Sequence, residues 1–97
     1  MIKEYDVNDI SYKNTVLDFW ASWCGPCRMT SKYLEEFSAE HPEIEIYKVN
    51  VDEMPEVAEE YGVISLPTVL CVNDDDILWR HVGLMTKKQM EEKMLVD

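Results

Sequence analysis

The run Thr15-Val16-Leu17-Asp18-Phe19-Trp20-Ala21 constrains this chain more than any other stretch. It is short and mostly apolar, with Asp18 as its polar residue, and it reads as a buried strand. A different period follows almost at once. From Gly25 to about His41, Met29, Tyr33 and Phe37 recur at i, i+4 and i+8 with Leu34 beside them, which is one face of a helix. Pro26 suits the first turn of that helix, where a missing amide costs nothing. Pro42 stops it. Ile44, Ile46 and Val49 then mark a second strand, roughly Ile44 to Val49. A strand–helix–strand crossover of this length closes as a right-handed parallel unit.

The remainder continues the alternation. Pro55 opens a short helix carrying Val57, Ala58 and Tyr61, and Gly62 ends it. Thr68 to Val72 is a third strand, Asn73-Asp74-Asp75-Asp76 a turn whose residues tolerate left-handed angles, and Ile77 to Val82 the antiparallel return. Thr86 caps a last helix through Met90 and Met94. The leading segment, around Lys3 to Val7, adds an edge strand. The expectation is an α/β fold: a central mixed β-sheet of four to five strands, flanked by helices on both faces. At 97 residues the chain holds one domain, 1–97, and 46% apolar content suffices for one core.

Charge narrows the function classes. Nine basic against 20 acidic residues give a formal net charge of −11, a field that repels phosphate backbones and anionic lipid. Neither nucleic acid nor membrane is expected as a partner. No run of about 18 apolar residues exists to span a bilayer. The opening Met1-Ile2-Lys3-Glu4-Tyr5-Asp6 is polar and acidic where a secretory leader is basic and then apolar, so a cytoplasmic address is expected.

Three cysteines, an odd number, argue against a disulfide-stapled scaffold. Cys24 and Cys27 sit where the buried strand gives way to the helix, and ligands of open α/β sheets bind outside the carboxyl ends of strands. One helical turn apart, the two side chains share a face at about 5–6 Å, within reach of a disulfide. The helix N-terminus stabilises a thiolate at Cys24, the nucleophile, while Cys27 lies one turn inside and is placed to resolve a mixed disulfide. Half of a structural zinc site is the other reading of the pair. Zinc takes four ligands, and the remaining Cys71, His41 and His81 are scattered, so redox chemistry is preferred.

Leu17-Asp18-Phe19-Trp20-Ala21-Ser22-Trp23-Cys24-Gly25-Pro26-Cys27 resembles the active-site segment of the thioredoxin family. Val49-Asn50-Val51-Asp52, Tyr61-Gly62-Val63, Leu66-Pro67-Thr68 and Val82-Gly83 are similar to that family's later landmarks, in order. The resemblance spans nearly the whole chain and implies the thioredoxin fold. It implies that Asp18 is the buried acid that helps the second cysteine lose and regain its proton. A carboxylate in an apolar strand is expected to have a raised pKa, which suits that work. Lys48 matches the family's lysine near the acid; strand alternation permits a buried amine there without requiring one. Pro67 matches the cis-proline that faces the dithiol. Trp23, Gly25, Pro26, Leu66, Val82 and Gly83 match the shallow apolar surface where an extended substrate segment pairs beside Pro67.

The activity implied is reduction of protein disulfides by a monomer with no bound cofactor, the Cys24–Cys27 dithiol being the redox group. The implied donor is an NADPH-fed thioredoxin reductase. A disulfide oxidase or isomerase on the same fold and a non-catalytic binding module are the alternatives. Trp20 is assigned to core packing. Cys71, mid-strand, reads as core filler, with a regulatory thiol as the alternative. Three departures from the family pattern stand out. The short leading segment implies a first helix reduced to a turn, Lys32 stands where many members bend the helix with a proline, and Asn73-Asp74 replaces the usual Asn-Gly hairpin.

Overall fold

A computed structural model describes residues 1–95; Val96 and Asp97, the end of the expected domain 1–97, lie outside the described residues. One five-stranded sheet runs in the order β1-β3-β2-β4-β5. Its strands are β1 (Ile2–Glu4), β2 (Thr15–Trp20), β3 (Ile46–Asn50), β4 (Thr68–Asn73) and β5 (Asp76–Val82). The helices are α1 (Gly25–Glu40), α2 (Pro55–Glu60) and α3 (Lys87–Met94). β1 and β2 both pair parallel with β3, while β4 is antiparallel to β2 and to β5.

The period of two along β2 divides the core into two layers. Leu17 and Phe19 join Tyr47, Val49, Leu70 and Val72 in a cluster with Val57 and Ala58 of α2. Val16 joins Ile46 and Val69 in a second cluster with Leu34 and Phe37 of α1 and Met90 of α3. Helices therefore cover both faces of a mixed sheet, as the apolar pattern requires.

Local chemistry sets most of the boundaries. α2 begins at Pro55 and ends in a Schellman arrangement: Gly62 has φ +66°, its amide donates to Glu59 O, and the Val63 amide donates to Ala58 O. α3 starts on a reciprocal capping box in which Gln89 N donates to Thr86 Oγ1 and Thr86 N donates to Gln89 Oε1. Residues 7–9 form only a turn, so the segment before β2 carries no helix.

Three expected boundaries shift. The leading strand is Ile2–Glu4 rather than Lys3 to Val7, because Met1 N donates to Ile44 O and draws the first residues alongside β3. β3 begins at Ile46; Ile44 still packs against the core, but its amide donates back to His41 O in the turn that ends α1. The β4–β5 connection tightens to Asp74 and Asp75, with Asn73 paired to Asp76 and Asp74 at φ +56°. Among the described residues, no helix is long and apolar enough to cross a membrane.

Candidate functional site

The handover from β2 to α1 builds the site. β2 ends at Trp20, the Cys24 amide donates to Ala21 O, and α1 starts at Gly25 with Pro26 in its first turn. Cys24 is the N-cap residue of α1, and its Sγ accepts from the Cys27 amide at 3.3 Å. The two cysteines are joined as a disulfide with Cα atoms 5.3 Å apart, inside the span such a bond needs. In this oxidised state Cys24 is 5% exposed and Cys27 3%, packed with Ala21 against Trp20, Val51 and Leu66. The two residues thus differ little in exposure while they are bonded to each other.

Around the pair the surface is apolar. Trp23 is 68% exposed, Gly25 and Pro26 are exposed, and Leu66 is half-buried against the cysteines. The Leu66–Pro67 bond is cis, and Pro67 is buried. Its carbonyl accepts from the Gly83 amide at 2.8 Å, and Thr68 pairs with Val82, so the Val82–Gly83 corner is tied beside Pro67. Ile64, 98% exposed in the loop before Pro67, was not singled out by sequence reasoning; its loop position alone carries no signal. Asp52 was also missed as a site residue: its Oδ2 accepts from Trp23 Nε1 at 2.9 Å and orients the indole. The Asp52 amide is itself fixed by Asn50 Oδ1, within the Val49-Asn50-Val51-Asp52 segment.

Behind the disulfide lies the polar part. Asp18 is fully buried in β2, and neither carboxylate oxygen has a hydrogen-bond partner among the described residues. Burial raises its pKa from 3.8 to about 6, against the opposing pull of Lys48. Lys48 is the register partner of Asp18 on β3, which puts the two side chains on one face. Its ammonium is held elsewhere: Nζ donates to Ser31 Oγ and stands 5.0 Å from the centroid of the Trp20 ring. Trp20, Cys27, Arg28, Ser31 and Lys48 line one pocket of about 250 Å³. Trp20 is therefore half-buried site wall as much as core filling, its buried Nε1 without a partner among the described residues.

Cys71 lies apart, buried on β4 opposite Trp79, its thiol pKa raised by burial. Among the described residues no group of three or more His, Cys, Asp or Glu side chains is placed to hold a metal ion.

Comparison with known proteins agrees with this geometry. The family model for Thioredoxin matches residues 3–95. A thioredoxin of Listeria monocytogenes is 37% identical over 99 residues, covering 95% of this chain and 94% of the relative. One of Rickettsia typhi is 39% identical over 94 residues, covering 88% and 90%. The X-ray structure of Fasciola hepatica thioredoxin superposes with a TM-score of 0.77 at 35% identity, covering 87% of this chain and 82% of that one.

Proposed function

This chain belongs to the thioredoxin family and is a thiol–disulfide oxidoreductase whose redox group is its own cysteine pair, and from that premise we propose the roles of its residues. Cys24, as thiolate, attacks one sulfur of a protein disulfide. That S–S bond breaks, a mixed disulfide forms, and the departing sulfur takes up a proton. Cys27 then gives its proton to Asp18 and attacks Cys24 Sγ. The mixed disulfide breaks, the second substrate sulfur leaves as a thiolate and takes up the proton held by Asp18, and the Cys24–Cys27 bond is restored. Two electrons have passed to the substrate.

The observation that carries this reading is the disulfide at the head of α1 with a buried, unpartnered carboxyl on the adjoining strand. The helix terminus supports a thiolate at Cys24, and a carboxyl with a pKa of about 6 exchanges protons near neutral pH. Lys48 tunes that carboxyl by its charge. Trp23, Gly25, Pro26, Leu66, Pro67, Val82 and Gly83 form the rim that receives an extended substrate segment. That segment pairs with backbone groups beside Pro67, and the Trp23 ring supplies apolar contact.

The one domain works as a monomer in a reducing cytoplasm, recharged by an NADPH-dependent thioredoxin reductase. Insulin reduction tests the assignment. With dithiothreitol as donor, Cys24→Ser is expected to fall to the rate of dithiothreitol alone; equal rates for wild type and variant would leave a binding module as the better account. Consumption of NADPH on adding a thioredoxin reductase and insulin tests the donor.

A further inference from the structure

We propose that Ser31 is a positioning residue: its hydroxyl, together with the Trp20 ring, holds the Lys48 ammonium away from the Asp18 carboxylate, which is thereby left free to take up the Cys27 proton. The inference rests on the reading that Asp18 serves Cys27.

The geometry is unusual for a buried acid and a lysine. Asp18 and Lys48 are register partners on adjacent parallel strands, with side chains on the same face, and opposite charges so placed ordinarily close on each other. Here both Asp18 oxygens are unpartnered, while the lysine spends a hydrogen bond on a serine one helical turn beyond Cys27. The contact of the half-buried ammonium with the Trp20 face supplies the second hold. Ser31 is half-buried in α1, and its hydroxyl faces the pocket that Cys27 and Lys48 also line.

The other groups about Asp18 do not replace this arrangement. From α1, Arg28 lines the same pocket, but its guanidinium donates to Ser22 O. Val69 of β4, the antiparallel partner of Asp18, is apolar, and so is Met90, which α3 contributes to that layer. His81 continues the row beyond Val69, about 10 Å from Asp18 at the usual strand spacing, with Nε2 bonded to Leu84 O. Lys48 is the charge that acts on the acid, and Ser31 decides where it points.

The carboxyl-carbon titration of Asp18, followed by NMR in the oxidised protein where Cys24 and Cys27 do not titrate, tests this. In Ser31→Ala the freed ammonium turns to the unpartnered oxygens, and the Asp18 midpoint is expected to fall by about one unit or more. Ser31→Thr, which keeps a hydroxyl, retains the wild-type midpoint. In a Lys48→Met background, Ser31→Ala has no further effect. An unchanged or raised midpoint in Ser31→Ala, or the same fall with Lys48 absent, overturns the proposal. The reading beneath it is tested separately: if Asp18→Asn resolves a mixed disulfide as fast as wild type at pH 7, the proton-carrier role of Asp18 is gone whatever the titration shows.

Discussion

The two faces of β2 are built from one alternating sequence and behave as two kinds of matter. Towards α2, Leu17 and Phe19 pack among aliphatic side chains and tyrosines, Phe19 with its ring 6.0 Å from that of Tyr61, whose hydroxyl burial pushes up to about 12, far from neutral pH. Towards α1 and α3 the same strand presents Val16, then Asp18 with both oxygens unsatisfied, and then half-buried Trp20 beneath a lysine. The first face is pure packing. The second leaves polar atoms unsatisfied at Asp18 and at Trp20 Nε1, among the described residues, and Asp18 lies two residues before the strand end that leads into the disulfide.

Three substitutions sharpen or break that contrast. Phe19→Ala, on the packing face, is expected to cost about 3–5 kcal/mol of unfolding free energy at every pH, since it opens a cavity where no charge resides. Urea denaturation at pH 4 and pH 8 should give the same loss. Asp18→Asn, on the other face, should act in the opposite direction and only where the acid is ionised. The folded protein holds the Asp18 proton up to about pH 6, whereas the unfolded chain releases it near 3.8. Between those values the native state binds more protons, so wild-type stability falls as pH rises through the window and stays lowered above it.

At about 1.36 kcal/mol per unit the deficit amounts to about 3 kcal/mol. The variant should gain up to that much at pH 8 and nothing below pH 4; parallel pH profiles for the two proteins would erase the distinction between the faces. The smallest effect concerns the polar contacts that the second face does satisfy. Thr30 Oγ1 accepts from the Met85 amide at 3.1 Å in the interior, and Thr30→Val strands that donor at a cost of about 1–3 kcal/mol, without pH dependence between 4 and 8. A pH-dependent loss there would mean that Asp18 is coupled to more of its surroundings than Lys48.

Much of this was legible in the sequence because the punctuation is strong. Pro26 and Pro42 bracket α1, Pro55 and Gly62 bracket α2, and Thr86 caps α3. These signals act on neighbours in the chain, and neighbours can be read. The dithiol was legible for the same reason, being three residues and one helical turn. What escaped depends on residues brought together by the sheet. That Lys48 reaches Ser31, 17 positions away, rather than its strand partner is decided by where α1 lies over β3. The hold of Asp52 on Trp23 spans 29 positions. The start of β3 was misplaced because apolar content reports burial and not pairing: Ile44 is packed into the core while still in a turn.

Cys24 caps α1 through its Sγ, the atom to which the exchange is here assigned. A helix end ordinarily relies on an oxygen that has no other duty, and here the fastening is a sulfur that, on the proposed mechanism, is handed to a substrate and taken back in each cycle. The first turn of α1 is thereby made a party to the electron count: whatever changes the bonding of that sulfur also changes how firmly the Cys27 amide is held, and oxidation state becomes written into the backbone at the helix's own threshold.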